Sequence, residues 1–251
     1  MVRGGFATYG NVAGILMLDS RIPRLPGDPG HSQTFPFPVV HAVVRGLPFK
    51  DLVEASHDNI GLAIEAARGL ESEGVSFVAA DCGLFSIFQE KIARELSVPF
   101  LGSSLSLIPF ILSFLPPHSR IGVLTGHTGL LSETHLRAAG ADPSRIVLVG
   151  MEDSAEFKRV VIDRGEELDG EALRRDIRSS CLVLTERAKA EKLHIGAVII
   201  ECTNLIPYRE EVQDLVGAPV YDLVSLIELF ASGFAARRFP ESHRSFRGRR
   251  E

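Results

Sequence analysis

The chain has 251 residues, 45% of them hydrophobic and 24% charged, with a formal net charge of -5. That is the balance of a globular protein of one large domain or two lobes, and its sign excludes a chain that attracts nucleic acid as a whole. Three cysteines are too few for a disulfide framework, and no stretch reaches the roughly 18 apolar residues of a membrane span, so a cytoplasmic protein with neither membrane nor nucleic-acid partners is expected.

In chain order, the first strand is predicted over 13–18 (AGILML). Residues 20–38 follow with five of the 14 prolines and two glycines, too many for regular helix or central strand. A long loop of this kind inside a compact domain is often functional. A strand over 39–44 and a helix over 51–73 come next. Then come a strand over 75–80, a helix over 84–96, a short strand over 98–101 and a helix over 104–115. The second half reads strand 121–125, helix 129–139, strand 145–149, helices 153–163 and 170–192, strand 195–200, helix 206–216, strand 218–221 and helix 223–238. The strands are continuous apolar runs, as in parallel sheets buried on both faces, and the alternation predicts an α/β fold with layered helices. The basic ending ESHRSFRGRRE reads as a solvated tail.

A repeat at an offset of 120 residues organises the chain. Residues 75–108 align with 195–228 without a gap, so that Asp81-Cys82 falls on Glu201-Cys202, Glu90 on Glu210 and Pro99 on Pro219. Each copy runs strand, acid, cysteine, helix, short strand beginning at proline, helix. Two pseudo-symmetric lobes are therefore expected, each a mainly parallel sheet flanked by helices. One lobe comprises 1–116 plus the C-terminal helix and tail, 223–251. The other comprises 117–222, and the active site lies in the cleft between them.

Both cysteines follow the carboxyl end of a buried strand and open a helix, which is the edge where open α/β sheets bind ligands. Across a twofold axis, Cys82 and Cys202 approach one cleft from opposite sides. Unpaired N–H groups at a helix start favour thiolate and can bring a cysteine pKa from about 8.5 toward roughly 3.5–7.5. Asp81 and Glu201 are expected to point away from the sulfurs. A thiolate on one face of a carbon acid takes its proton, and a thiol on the other face returns one, with no metal and no cofactor.

Gly83, Thr203 and Asn204 beside the cysteines, Ser103 and Ser104 after strand 98–101, and Thr125 at its strand end are candidate substrate-binding groups. Arg24 and Asp28 of the proline-rich loop are weaker candidates for a small carboxylate substrate, with Arg21 beside them. Cys181 has no mirror partner and reads as structural. His127 follows a strand end and reads as a loop residue. No phosphate-binding loop and no metal-ligand spacing is present.

In ADCG, ECTNLIPY and LDSRIPRLPGD the chain resembles the aspartate/glutamate/hydantoin racemase superfamily over roughly residues 12–238. The resemblance implies two pseudo-symmetric α/β lobes with one catalytic cysteine each, carried by Cys82 and Cys202, no cofactor, and a homodimer or homotetramer. Within the superfamily the pattern is most similar to a branch that includes algal dimethylsulfoniopropionate lyases. Typical amino-acid racemases carry a Gly-rich, Thr-containing loop after the first strand. The proline-rich segment here departs from that and points away from aspartate or glutamate as substrate. The leading expectation is a racemase or epimerase acting beside a carboxylate. The alternatives are a lyase performing β-elimination on the same scaffold, a decarboxylase or cis–trans isomerase, and a two-lobed binder without chemistry.

Overall fold

A computed structural model describes residues 4–6 and 8–235; the basic tail lies outside the described residues. The chain forms two four-stranded parallel sheets. The first contains β1 (Ala13–Leu18), β2 (Val39–Val44), β3 (Phe77–Ala80) and β4 (Phe100–Leu101) in the order β2-β1-β3-β4. The second contains β5 (Ser119–Leu124), β6 (Ile146–Val149), β7 (His194–Ile200) and β8 (Val220–Tyr221) in the order β6-β5-β7-β8. The orders are equivalent, so the two halves share one topology. β3 is fully buried, as are the last four residues of β7, which is why both read as unbroken apolar runs.

The helices are α1 (Phe49–Val53), α2 (Ile60–Ser72), α3 (Gln89–Arg94), α4 (Leu107–Leu112), α5 (Glu133–Ala138), α6 (Ala155–Phe157), α7 (Gly170–Ala190), α8 (Arg209–Val216) and α9 (Leu223–Phe234). Asp169 caps α7 by accepting from the Glu171 and Ala172 N–H groups, and Asp222 with Ser225 forms a capping box on α9. The predicted helix 51–73 is broken in two. Ala55 takes a left-handed backbone (φ 55°), and the Asn59 amide turns back to Asp51 at 2.8 Å. Helical period continues through the break, so the pattern alone does not show it. The predicted 153–163 helix is one turn of α6 followed by a π-helical turn, Lys158–Ile162.

The repeat recurs in the backbone element by element. The 3-10 turns Gly83–Phe88 and Thr203–Tyr208, the starts of α3 and α8, and β4 and β8 all stand 120 residues apart. The hydrogen bond from Val78 N to Pro99 O is repeated by Val198 N to Pro219 O, and Phe85 N to Cys82 O by Leu205 N to Cys202 O. The Asp81 and Glu201 N–H groups close their strands on Leu16 O and Leu124 O. The predicted helices 84–96 and 206–216 thus begin as 3-10 turns, because the three-residue closure onto each cysteine carbonyl tightens the first turn.

The two halves are stitched together close to the cysteines. Ser104 Oγ donates to Ile200 O (3.0 Å) and Thr203 Oγ1 to Asp81 O (2.5 Å), each bond joining one sheet's segment to the other's. The proline-rich loop also crosses over. Gly27 has φ 104°, and a side chain there would meet the Pro207 backbone, so only glycine lets the loop lie against the second cysteine's turn. α9 returns to the first sheet, with Phe230 and Phe234 of α9 beside Phe77 of β3.

Candidate active site

Cys82 and Cys202 open onto one cavity of about 400 Å³ between the two halves. Each is the extended residue that follows its strand and opens its 3-10 turn. The cavity also takes Gly83, Thr203, Asn204, Thr125 and Arg24 from the candidates read in the sequence. His127 lines it too, although its position read as an ordinary loop residue. Cys181 is buried in α7 away from it, its thiol pushed up to about 11 by burial.

Several candidates hold the site together instead of lining it. Ser103 and Ser104 do not reach the cavity: Ser103 accepts from Leu105 N at 3.2 Å, and Ser104 bonds Ile200 O. Both are buried, Ser103 closing its own loop and Ser104 tying that loop to β7. Asp28 is buried behind the wall, where it accepts from Arg24 Nη1 (2.7 Å), Gly30 N (2.8 Å) and Asn204 Nδ2 (3.0 Å). Arg24 is paired on its other side with Asp81 Oδ2 at 2.8 Å, so it is an internal counter-ion as well as a wall residue. Arg21 is exposed and does not line the cavity. The Thr203 hydroxyl donates to Asp81 O, leaving only its lone pairs for a ligand.

The carboxylates overturn one expectation. Asp81 and Glu201 both face the cavity, and their charges act on the sulfurs. Each is a buried acid whose side chain is drawn back over the strand end by local donors. Asp81 is held by Arg24 and by Leu18 N at 2.9 Å. Glu201 is held by Thr125 Oγ1 at 2.6 Å and by the Gly126 N–H. Burial pushes the Asp81 carboxyl up to about 6, against the pull of Arg24, and the Glu201 carboxyl up to about 7.

The expected lowering of the thiol pKa is reversed as well. Burial, then Glu201, raises both Cys82 and Cys202 well above the usual thiol range. The Leu84 and Asn204 N–H groups act in the other direction and are outweighed. A 3-10 turn supplies few such donors, whereas a carboxylate in a dry wall acts at full strength.

Most of the remaining wall is apolar, from Ile22, Leu47, Phe49, Leu84, Phe157 and Val161. Phe49, Phe157 and Val161 come from segments that share no motif with the cysteines, so nothing in the sequence marks them. Asp19, at the end of β1, carried a strand-end acid signal that could have marked it. Among the described residues no cluster of three His, Cys, Asp or Glu side chains could hold a metal ion, and no helix is long and apolar enough to cross a membrane.

The fold is the one found in aspartate/glutamate racemases and their structural neighbours. Allantoin racemase from Klebsiella pneumoniae superposes with a TM-score of 0.59 at 16% identity, covering 90% of this chain and 88% of that one. A glutamate racemase isoform from Bacillus anthracis superposes at 0.56 and 13% identity, covering 94% and 83%. Unliganded arylmalonate decarboxylase gives 0.52 at 14% identity, covering 92% and 96%. These likenesses show the fold.

Sequence relatives are narrower. A dimethylsulfoniopropionate lyase from Durusdinium sp. clade D is 31% identical over 231 residues, covering 88% of this chain and 74% of that protein. Dimethylsulfoniopropionate lyase 7 from Emiliania huxleyi is 29% identical over 225 residues, covering 86% of this chain and 65% of that protein. The chain spans only 57% of the length of lyase 6 from the same organism, at 30% identity. No family model matches the chain. The chain belongs to the dimethylsulfoniopropionate lyase family.

Proposed function

We propose that this chain is a cofactor-independent lyase that removes a proton beside a carboxylate and expels a sulfide from the next carbon. The substrate class is a small sulfonio-carboxylate, as the names of its relatives suggest. The observation that carries the reading is the pair of cysteines, from equivalent strand ends, opening on one mostly apolar cavity. A sulfonium head has no N–H to satisfy. Its methyl groups suit the Phe49 and Phe157 side of the wall, and its charge suits aromatic faces and the buried acids Asp81 and Glu201. The Gly83 and Thr203 N–H groups, each opening a 3-10 turn, are the candidate seat for the carboxylate and for charge that builds on it.

In the reaction a cysteine sulfur takes the Cα–H proton. The pair left on Cα forms the carbon–carbon double bond, and the Cβ–S bond breaks with its electrons leaving on the sulfide. Racemisation, the first expectation from sequence, shares the proton abstraction and remains the second reading, because both cysteines line the one cavity. Incubation with dimethylsulfoniopropionate in deuterated water separates them. Release of acrylate and dimethyl sulfide, lost in Cys82→Ser and Cys202→Ser, is the expected result. Deuterium entering a recovered amino or hydroxy acid with inversion, and no alkene from any sulfonio-carboxylate, sinks the elimination reading.

A further inference from the structure

We propose that Glu201 is the base that draws the thiol proton from Cys82, so that Cys82 abstracts the substrate proton while Cys202 stays protonated. This rests on the elimination reading for its chemistry and on the broken symmetry of the repeat for its evidence.

Glu201 belongs to the second half, yet its carboxyl crosses to the first. A Cβ built on Gly83, the residue after Cys82, would land on Glu201 Oε1. Thr125 Oγ1 and the Gly126 N–H hold the carboxyl in the cavity wall that both cysteines line. Its mirror residue Asp81 is not equivalent. Asp81 is one methylene shorter and is paired with Arg24.

The sulfurs differ in the same sense. Cys202 Sγ lies 3.8 Å from Asn204 Oδ1, and the Asn204 Nδ2 bond to Asp28 turns that oxygen toward the sulfur. An oxygen acceptor there favours S–H over thiolate. The mirror position beside Cys82 is Leu84, which has no such acceptor. Glu201 and then Asp81 act on Cys82, and because Asp81 is held by Arg24, Glu201 is the acceptor without a cation of its own. Glu201 acts on Cys202 too, but that thiol already has the Asn204 oxygen as its partner.

The need for a base follows from burial. Both thiols are raised far out of the neutral range, whereas Glu201, pushed up to about 7, is ionised in a useful fraction at neutral pH. The other titratable groups around this wall are Cys202, Asp81, Arg24, Asp19 and His127, with Arg164 at the rim. Of these, Arg24 is tied to Asp28 and Asp81.

The proton count closes. Glu201 takes the proton of Cys82 S–H, the thiolate takes the Cα proton and is a thiol again, and alkene and sulfide leave. Glu201 then returns its proton to water, one per turnover.

The test maps alkylation of the intact protein by iodoacetamide at each cysteine across pH, beside turnover of dimethylsulfoniopropionate. In the wild type, Cys82 is expected to react faster than Cys202, with a rate that rises through pH 7. In Glu201→Gln the preference disappears. Turnover at pH 7 falls by about 10²–10⁴-fold and no longer follows the limb near pH 7. Thr125→Val removes a donor to the ionised carboxylate and moves the wild-type limb to higher pH. Equal reactivity of the two cysteines in the wild type, or an unchanged preference in Glu201→Gln, overturns the proposal. A preserved Cys82 preference without any alkene product sinks the elimination reading and leaves Glu201 as the base of Cys82.

Discussion

Replacing Glu201 by glutamine is expected to stabilise the protein while it disables the site. The folded carboxyl titrates at about 7 against an ordinary value of 4.5, because it is buried in the cavity wall. The folded state therefore binds a proton more tightly than the unfolded chain, and stability falls as pH rises from about 4.5 to about 7. At roughly 1.36 kcal/mol per pH unit, the ionised carboxylate costs about 3 kcal/mol at pH 8. Glutamine keeps an acceptor for the Thr125 hydroxyl and carries no charge to desolvate. For a chain of this size, roughly 2–4 °C of melting temperature accompany each kcal/mol, so a rise of about 6–12 °C is expected at pH 8. At pH 5 the wild-type carboxyl is already protonated in the fold, and the gap shrinks below about 1 kcal/mol. Urea unfolding of both proteins at pH 5 and pH 8 measures it. A variant no more stable than wild type at pH 8, or a gap that does not close toward pH 5, refutes the buried, ionised carboxylate on which this reasoning stands.

Gly83→Ala places a methyl group where the Glu201 carboxyl lies, so turnover is expected to fall by about 10²-fold or more with the fold retained, checked by kcat beside circular dichroism. Arg24→Met leaves Asp28 and Asp81, each with a side chain 2% exposed, without their cation. A loss of about 3–5 kcal/mol is expected at pH 8. The loss is smaller at pH 5, because Asp81 already titrates near 6 with the arginine present and higher without it. Thermal unfolding at the two pH values reads the difference.

Much of this was legible in the chain. AGILML and VVHAVV coincide with β1 and β2 residue for residue, because an unbroken apolar run between turn formers leaves little choice of register. The 120-residue offset placed both cysteines at strand ends, and they do share one cavity. Ser103 and Ser104 misled because a polar residue after a strand looks the same whether it faces a ligand, closes its own loop as Ser103 does, or ties that loop to the other sheet as Ser104 does. The break at Ala55 was invisible because a left-handed residue leaves no trace in hydrophobic period.

What the amino-acid order determined by itself is connectivity and period: two equal halves, parallel strands, and an acid and a cysteine at each carboxyl edge. These are local properties, and each repeat carries them whole. The division of labour at the site is decided only by tertiary structure. Asp81 turns to an arginine 57 residues earlier, and Glu201 turns to a threonine 76 residues earlier and to a glycine in the other half. An acid's pKa depends on the water it loses and the charges it meets, and both are supplied by segments far away along the chain.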